Sequence, residues 1–275
     1  MSKIQLKWNI ITDTIPGFCG TTNDFCADPG SCAPGFGRCD SDTTPAGPST
    51  ADAPRPKKGP VTYDSDIYDC VQNNVVALTY DDGPAEFTGQ LLDTLKAYGF
   101  TATFFITGNN NGKGAIDTTA PYPDLIKRMI AEGHQVASHT WSHYSLSASS
   151  SEVRKSQMVK NEMALNNIIG KWPTYMRPPY SQCSVESGCT KDMADLGYHI
   201  VCKCINHLIS TFKNALEKDT IDTVQTLILI HKITSTPCPR KSKNQKTLSR
   251  QNSPTSPLPI TFLSNTTSSA NPSQT

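Results

Sequence analysis

Val75-Val76-Ala77-Leu78-Thr79-Tyr80-Asp81-Asp82-Gly83-Pro84 decides the reading of this chain. Its first six residues are β-branched, aromatic or apolar and read as a buried strand over 75–80. The four that follow are a turn signal. The strand therefore delivers two adjacent carboxylates to its C-terminal tip. Neighbouring side chains there point in different directions, so one can ligate a metal while the other faces substrate. Taken alone, an Asp-Asp-Gly-Pro turn is ordinary turn chemistry.

Outward from this stretch, apolar strands alternate with helical segments. A helix is predicted over 87–99, with Leu91, Leu92, Leu95 and Tyr98 on one face. A strand follows over 102–107, then a helix over 123–132 closed by Gly133, and a strand over 135–139. A long helix over 151–169 is closed by Gly170, and further strands are predicted at 175–177, 198–201 and 227–230. Such alternation implies an α/β fold with a parallel sheet, open or closed. Polar residues gather just past the strand ends, where α/β barrels keep their active sites.

Two more clusters stand at those ends. In His139-Thr140-Trp141-Ser142-His143, two histidines at i, i+4 can face one metal from a single helical turn. Alone they read equally well as surface histidines. With Asp82 they make a set of two imidazoles and one carboxylate, which suits a divalent metal with positions left open for water and substrate. In Arg177-Pro178-Pro179-Tyr180, the prolines fix an extended backbone that can aim one N–H into a site. The plain alternative is a rigid surface loop. Just after it, Cys183 and Cys189 are spaced for a local disulfide.

The rest of the chain bounds the function. Net charge is +1 over 275 residues, which favours neither nucleic acid nor an anionic membrane as partner. The charge is uneven: six Lys/Arg and no Asp/Glu follow from Lys232, leaving −5 on residues 1–231. No apolar run is long enough to span a bilayer. Residues 1–8 lack the apolar core of a signal peptide. Ten cysteines, four of them close together (Cys19, Cys26, Cys32, Cys39), instead indicate a secreted or cell-wall protein, with an incomplete N-terminus. The expected organisation is a cysteine-rich patch at 17–40, a Ser/Thr/Pro linker at 41–69, the α/β domain at 70–233, and a disordered basic Ser/Thr-rich tail at 234–275.

Together, the Thr-Tyr-Asp-Asp-Gly-Pro, His-Thr-Trp-Ser-His and Arg-Pro-Pro-Tyr blocks resemble the NodB-homology polysaccharide deacetylases, carbohydrate esterase family four. The likeness covers residues 70–233. In Cys70–Pro84 and in Asp195-Leu196-Gly197-Tyr198-His199-Ile200-Val201 it is nearest to fungal chitin deacetylases. The resemblance implies a distorted (β/α) barrel, incomplete at the C-terminus, that removes N-acetyl groups from chitin or chito-oligosaccharides. Acetylated xylan or peptidoglycan is the alternative substrate, and an impaired chitin-binding paralogue the alternative function. By the same resemblance, Asp81 is the general base. Asp82, His139 and His143 bind zinc or another divalent metal such as cobalt. Arg177 pairs with Asp81, Tyr180 gives a backbone N–H to the oxyanion, and His231 is the general acid.

The chain also departs from that pattern. Asn206 stands where the family has an aspartate that pairs with the acid histidine, and Lys232 replaces the usual aspartate after it. The acid half of the site is therefore expected to be weak. Cys70 has a distant C-terminal partner in the family, for which Cys238 is the candidate here. The 17–40 patch resembles the second half of a hevein-type chitin-binding module. That likeness makes Cys32–Cys39 a local bridge and places Phe18 and Phe25 at sugar-stacking positions.

Overall fold

The computed structural model describes residues 11–12, 19–20, 39–63, 65–68, 70 and 77–202. The expectations for Cys26, Cys32, Asn206, the 227–230 strand, His231, Cys238 and the tail lie outside the described residues, as does most of the cysteine-rich patch. Near the N-terminus, β1 (Ile11–Thr12) pairs antiparallel with β2 (Cys19–Gly20).

The α/β unit follows the predicted order, with one further helix, Cys189–Asp195, that the sequence reading did not place. It runs β3 (Thr79–Asp81), α1 (Thr88–Ala97), β4 (Thr103–Ile106), α2 (Tyr122–Ala131), β5 (Gln135–Ser138), α3 (Ser151–Ile169), β6 (Tyr175–Met176), α4 (Cys189–Asp195) and β7 (His199–Ile200). The five strands β3 to β7 form one parallel sheet in sequence order. Each crossover steps to the adjacent strand, so the sheet has the winding of a barrel wall without an internal reversal. Parallel strands covered on both faces read as continuous apolar runs, and β4 does so: Phe104, Phe105 and Ile106 are each at most 2% exposed.

Two apolar clusters hold the unit. Leu91, Leu92 and Leu95 of α1 pack with Phe104, Ile106, Ile126, Met129 and Leu165 on the helix-covered face. Met158, Met176, Met193, Tyr198 and Ile200 form the second cluster around the Cys183–Cys189 disulfide. Burial of such side chains contributes roughly 1.5–3 kcal/mol each. Ser150 caps α3 by accepting from the Val153 N–H (3.3 Å), and Gly170 ends it in the left-handed conformation (φ 67°) that lets the chain turn away.

One segment differs from its sequence reading. Residues 41–69 have a linker's composition, yet 39–63 form a strap docked along α3. Arg55 makes a two-pronged pair with the fully buried Glu162 (2.6 and 2.8 Å). Thr50 and Tyr198 also donate to Glu162. Asn167 of α3 donates to the Ala46 carbonyl, and the strap's far end stacks Tyr63 on His199 (3.9 Å). Ile67 then bridges in parallel to Val201, at the β7 edge of the sheet. Polar pairing rather than apolar burial orders this segment, and composition does not report it.

Candidate active site

All three predicted clusters meet at the C-terminal edge of the sheet. β3 ends on Asp81, which lies beside Phe105 of β4 in the sheet register. The Arg177 guanidinium stacks on the Phe105 ring (4.0 Å) and donates to Asp81 Oδ1 (2.6 Å) and Thr79 Oγ1 (3.0 Å). Both Asp81 and Arg177 are largely shielded from water. Stacking and pairing thus fix one orientation of the Asp81 carboxylate.

Asp82 leaves the strand in the left-handed region (φ 68°), which a short polar side chain tolerates. Its carboxylate is half-exposed. Its Oδ1 lies 3.6 Å from His139 Nε2 and 3.2 Å from His143 Nε2. One ligand atom from each of the three residues lies within 4.8 Å of the others, a cluster that could hold a metal ion. Ligands of a tetrahedral ion with bonds of about 2.0–2.2 Å sit about 3.3–3.6 Å apart, so the donor set fits. The second nitrogen of His139 strengthens that fit. Its Nδ1 lies 2.6 Å from the Arg177 carbonyl, which can only accept. Nδ1 therefore carries the proton, and Nε2 presents its lone pair to the site. Burial, helped by the neighbouring His139, pushes the His143 pKa down to about 4 against the pull of Asp82 and Asp81. A neutral imidazole is the form that ligates.

The two histidines do not share a helical turn, as their spacing suggests. They lie on a loop in which Thr140 (φ 71°) and His143 (φ 62°) are both left-handed. Buried polar contacts hold this loop. Gln157 of α3 accepts from the Ser142 N–H and donates to its hydroxyl, both at 2.8 Å. Trp141 is fully buried, donates to the Asp40 carbonyl of the strap (2.8 Å), and lies flat on Gly108. A Cβ on Gly108 would come within 2.0 Å of the indole, so only glycine fits. Gln157, Gly108 and Asp40 escaped the sequence reading, because nothing local marks them until Trp141 is placed.

Tyr180 lies on the short helical turn Pro179–Ser181 (φ 57°), its ring edge-on to His143 at 4.8 Å. The predicted Cys183–Cys189 disulfide is present, with Cα atoms 5.1 Å apart, and closes the loop beyond that turn. Cys39 is also disulfide-bonded. Cys70 is exposed. His231 lies outside the described residues.

The polysaccharide deacetylase family model matches residues 68–201, the stretch that builds this cluster. Residues 68–201 are a polysaccharide deacetylase domain. A chitin deacetylase from Pestalotiopsis sp is 41% identical over 176 residues, covering 64% of this chain and 55% of that protein. One from Colletotrichum lindemuthianum is 50% identical over 135 residues, covering 49% of this chain and 52% of that protein. The solved chitin deacetylase of Colletotrichum lindemuthianum is 48% identical over 52% of this chain and 60% of that one, with a TM-score of 0.48. A peptidoglycan-N-acetylglucosamine deacetylase from Bacillus cereus is 41% identical over 108 residues, covering 39% of this chain and 36% of that protein. The chain spans about half the length of the chitin deacetylases it matches. No helix among the described residues is long and apolar enough to cross a membrane. The Asp82, His139 and His143 cluster, which could hold a metal ion, and the Asp81–Arg177 pair share one rim of the sheet, with the strap outside the matched residues.

Proposed function

We propose that this chain is a divalent-metal-dependent deacetylase that hydrolyses the N-acetyl groups of chitin or chito-oligosaccharides. The observation that carries the reading is the convergence of Asp82, His139 and His143 next to an Asp81 carboxylate held by Arg177. Identity to two chitin deacetylases supports the substrate. The disulfides support an oxidising, extracellular compartment.

Asp82, His139 and His143 would hold the ion, with zinc suited to two imidazoles and a carboxylate. A bound divalent ion supplies Lewis acidity to water and to the acetamide carbonyl. Asp81 takes the proton from the attacking water, and Arg177 keeps its carboxylate aimed and ionised. The Tyr180 backbone N–H is assigned to the developing oxyanion, a donor of a kind worth about 3–4 kcal/mol. His231 is assigned to protonate the nitrogen as the C–N bond breaks, because an amide anion is too basic to depart unaided. Acetate and the free amine are the products. The Bacillus cereus relative favours peptidoglycan as a second substrate to assay.

Asp81→Asn and Asp82→Asn test the assignment as a pair. Asp81→Asn is expected to cut acetate release from chito-oligosaccharides by about 10²–10⁴-fold with zinc affinity retained. Asp82→Asn should weaken both. An Asp81→Asn enzyme that keeps its rate sinks the base assignment. A wild type that releases no acetate from either polymer sinks the deacetylase reading.

A further inference from the structure

Beneath the Asp82 turn sits a cation that the deacetylation steps above do not use. Lys113, on the loop after β4, is only half-buried as a residue, but its ammonium is enclosed by protein. Nζ donates to the Asp82 carbonyl (3.1 Å), the Gly83 carbonyl (3.0 Å), the Thr107 carbonyl (2.9 Å) and Thr107 Oγ1 (2.8 Å). An ammonium has three N–H groups, so these four oxygens share its three protons. Burial pulls its pKa down to about 7, against the attraction of Asp82 and of Asp40 on the strap. Thr107 adds to the same anchorage: its N–H donates to the Gly83 carbonyl (3.2 Å), and its Oγ1 lies 2.9 Å from the Asp82 carbonyl.

Three carbonyl oxygens turned to one point repel each other unless a cation sits among them. Asp82 itself is left-handed (φ 68°), a conformation that a non-glycine residue keeps only where its surroundings fix it. The Asp82 side chain is half-exposed. Its direction towards His139 and His143 is therefore set from the backbone side, where Lys113 is bonded.

We propose that Lys113 is a positioning residue for the metal site, clamping the carbonyls of Asp82 and Gly83 so that the Asp82 carboxylate stays aimed at the two histidines. This deepens the deacetylase reading and rests on its metal site. A competing effect has the opposite sign. A fixed positive charge near a dication repels it, so removing that charge alone would tighten zinc binding. Removing the clamp weakens it. The direction of the change therefore decides between them.

The test is Lys113→Met in the full chain, with zinc affinity read by chelator competition and folding by thermal melting. Zinc dissociation is expected to weaken about 10- to 100-fold, as when groups that orient metal ligands are removed. Lys113→Arg, which keeps the charge, should recover part of the loss. In the loaded enzyme kcat should fall with KM for the oligosaccharide unchanged. A role in stability alone would lower the melting temperature and leave zinc affinity of the folded protein as it was. Affinity within twofold of wild type, or tighter, overturns the proposal. If Lys113→Met does not fold, Lys113→Gln is measured in its place. At least fivefold weaker binding is expected there, and a change within twofold likewise overturns the proposal. Wild type that binds zinc yet releases no acetate would sink the deacetylase reading and leave Lys113 in its role. Unchanged zinc affinity in an active variant would do the reverse, and a wild type that binds no zinc would overturn both.

Discussion

From β3 to β5 the chain is fixed by apolar burial; from residue 39 to residue 63 it is fixed by charges and hydrogen bonds. Phe104, Phe105 and Ile106 of β4 are almost fully enclosed, with many neighbours sharing the stabilisation. The strap buries Asp40, Ser41 and Thr50 instead. It holds to α3 through Arg55 on Glu162 and single bonds such as Asn167 to Ala46, and to the histidine loop through Trp141 to Asp40. The contrast is one of redundancy. A strand can lose a methyl group and keep most of its packing. A strap that loses one charge leaves the opposite charge buried and unmatched, a far larger penalty than the net worth of the pair.

The sharpest way to break this comparison is Arg55→Met. Glu162 would then be a fully buried carboxylate with only neutral donors, and we expect a loss of about 3–5 kcal/mol in denaturant unfolding. Arg55→Met with Glu162→Met should cost much less, because neither charge remains. A loss under about 1 kcal/mol for the single variant would show that the ion pair does not hold the strap.

A smaller effect comes from Cys183→Ser with Cys189→Ser. The bridge closes a short loop, so chain entropy gives it about 2 kcal/mol. Melting temperature should fall while the distant strap contacts persist. A loss as large as that of Arg55→Met would erase the contrast between a locally redundant cluster and a singly anchored segment.

The smallest expected effect lies at His134, inside the apolar region. Its Nδ1 accepts the Ala102 N–H (3.2 Å), and burial lowers its pKa below the ordinary histidine value, with Arg128 adding and Glu132 opposing. The folded state therefore binds fewer protons here than the unfolded chain. Stability from this group is full above the unfolded pKa and declines as pH falls through it. His134→Asn, which keeps an acceptor, should flatten the stability profile between about pH 7 and pH 5. An unchanged slope would place the acid sensitivity elsewhere.

These contrasts account for what was legible in the sequence. Apart from α4, which was not predicted, the strands and helices of the sheet were read to within a few residues, because apolar periodicity reports burial directly. The cluster that could hold a metal ion was legible too, since Asp82 and the two histidines sit in short blocks at strand ends. The path of the backbone between His139 and His143 was not. Left-handed Thr140 and His143 carry no glycine to signal them, and their conformation is imposed by Gln157 and Trp141 from other elements. The strap was misread for the same reason: Arg55 finds Glu162 across 107 positions, and no local pattern encodes that pairing. Nothing local in the sequence around Lys113 signals the four oxygens that surround its Nζ.

Ile67 closes the strap onto the sheet in a way that links two ends of the fold. Its N–H donates to the Ile200 carbonyl (2.8 Å), and its carbonyl accepts from the Cys202 N–H (2.9 Å). Those two bonds join the run-up to the first strand of the domain to the far side of β7. In hydrogen exchange, the amides of Ile67 and Cys202 would open together as one cooperative unit rather than as two fraying termini. A protease that gained access near residue 67 would therefore release the β7 edge as well.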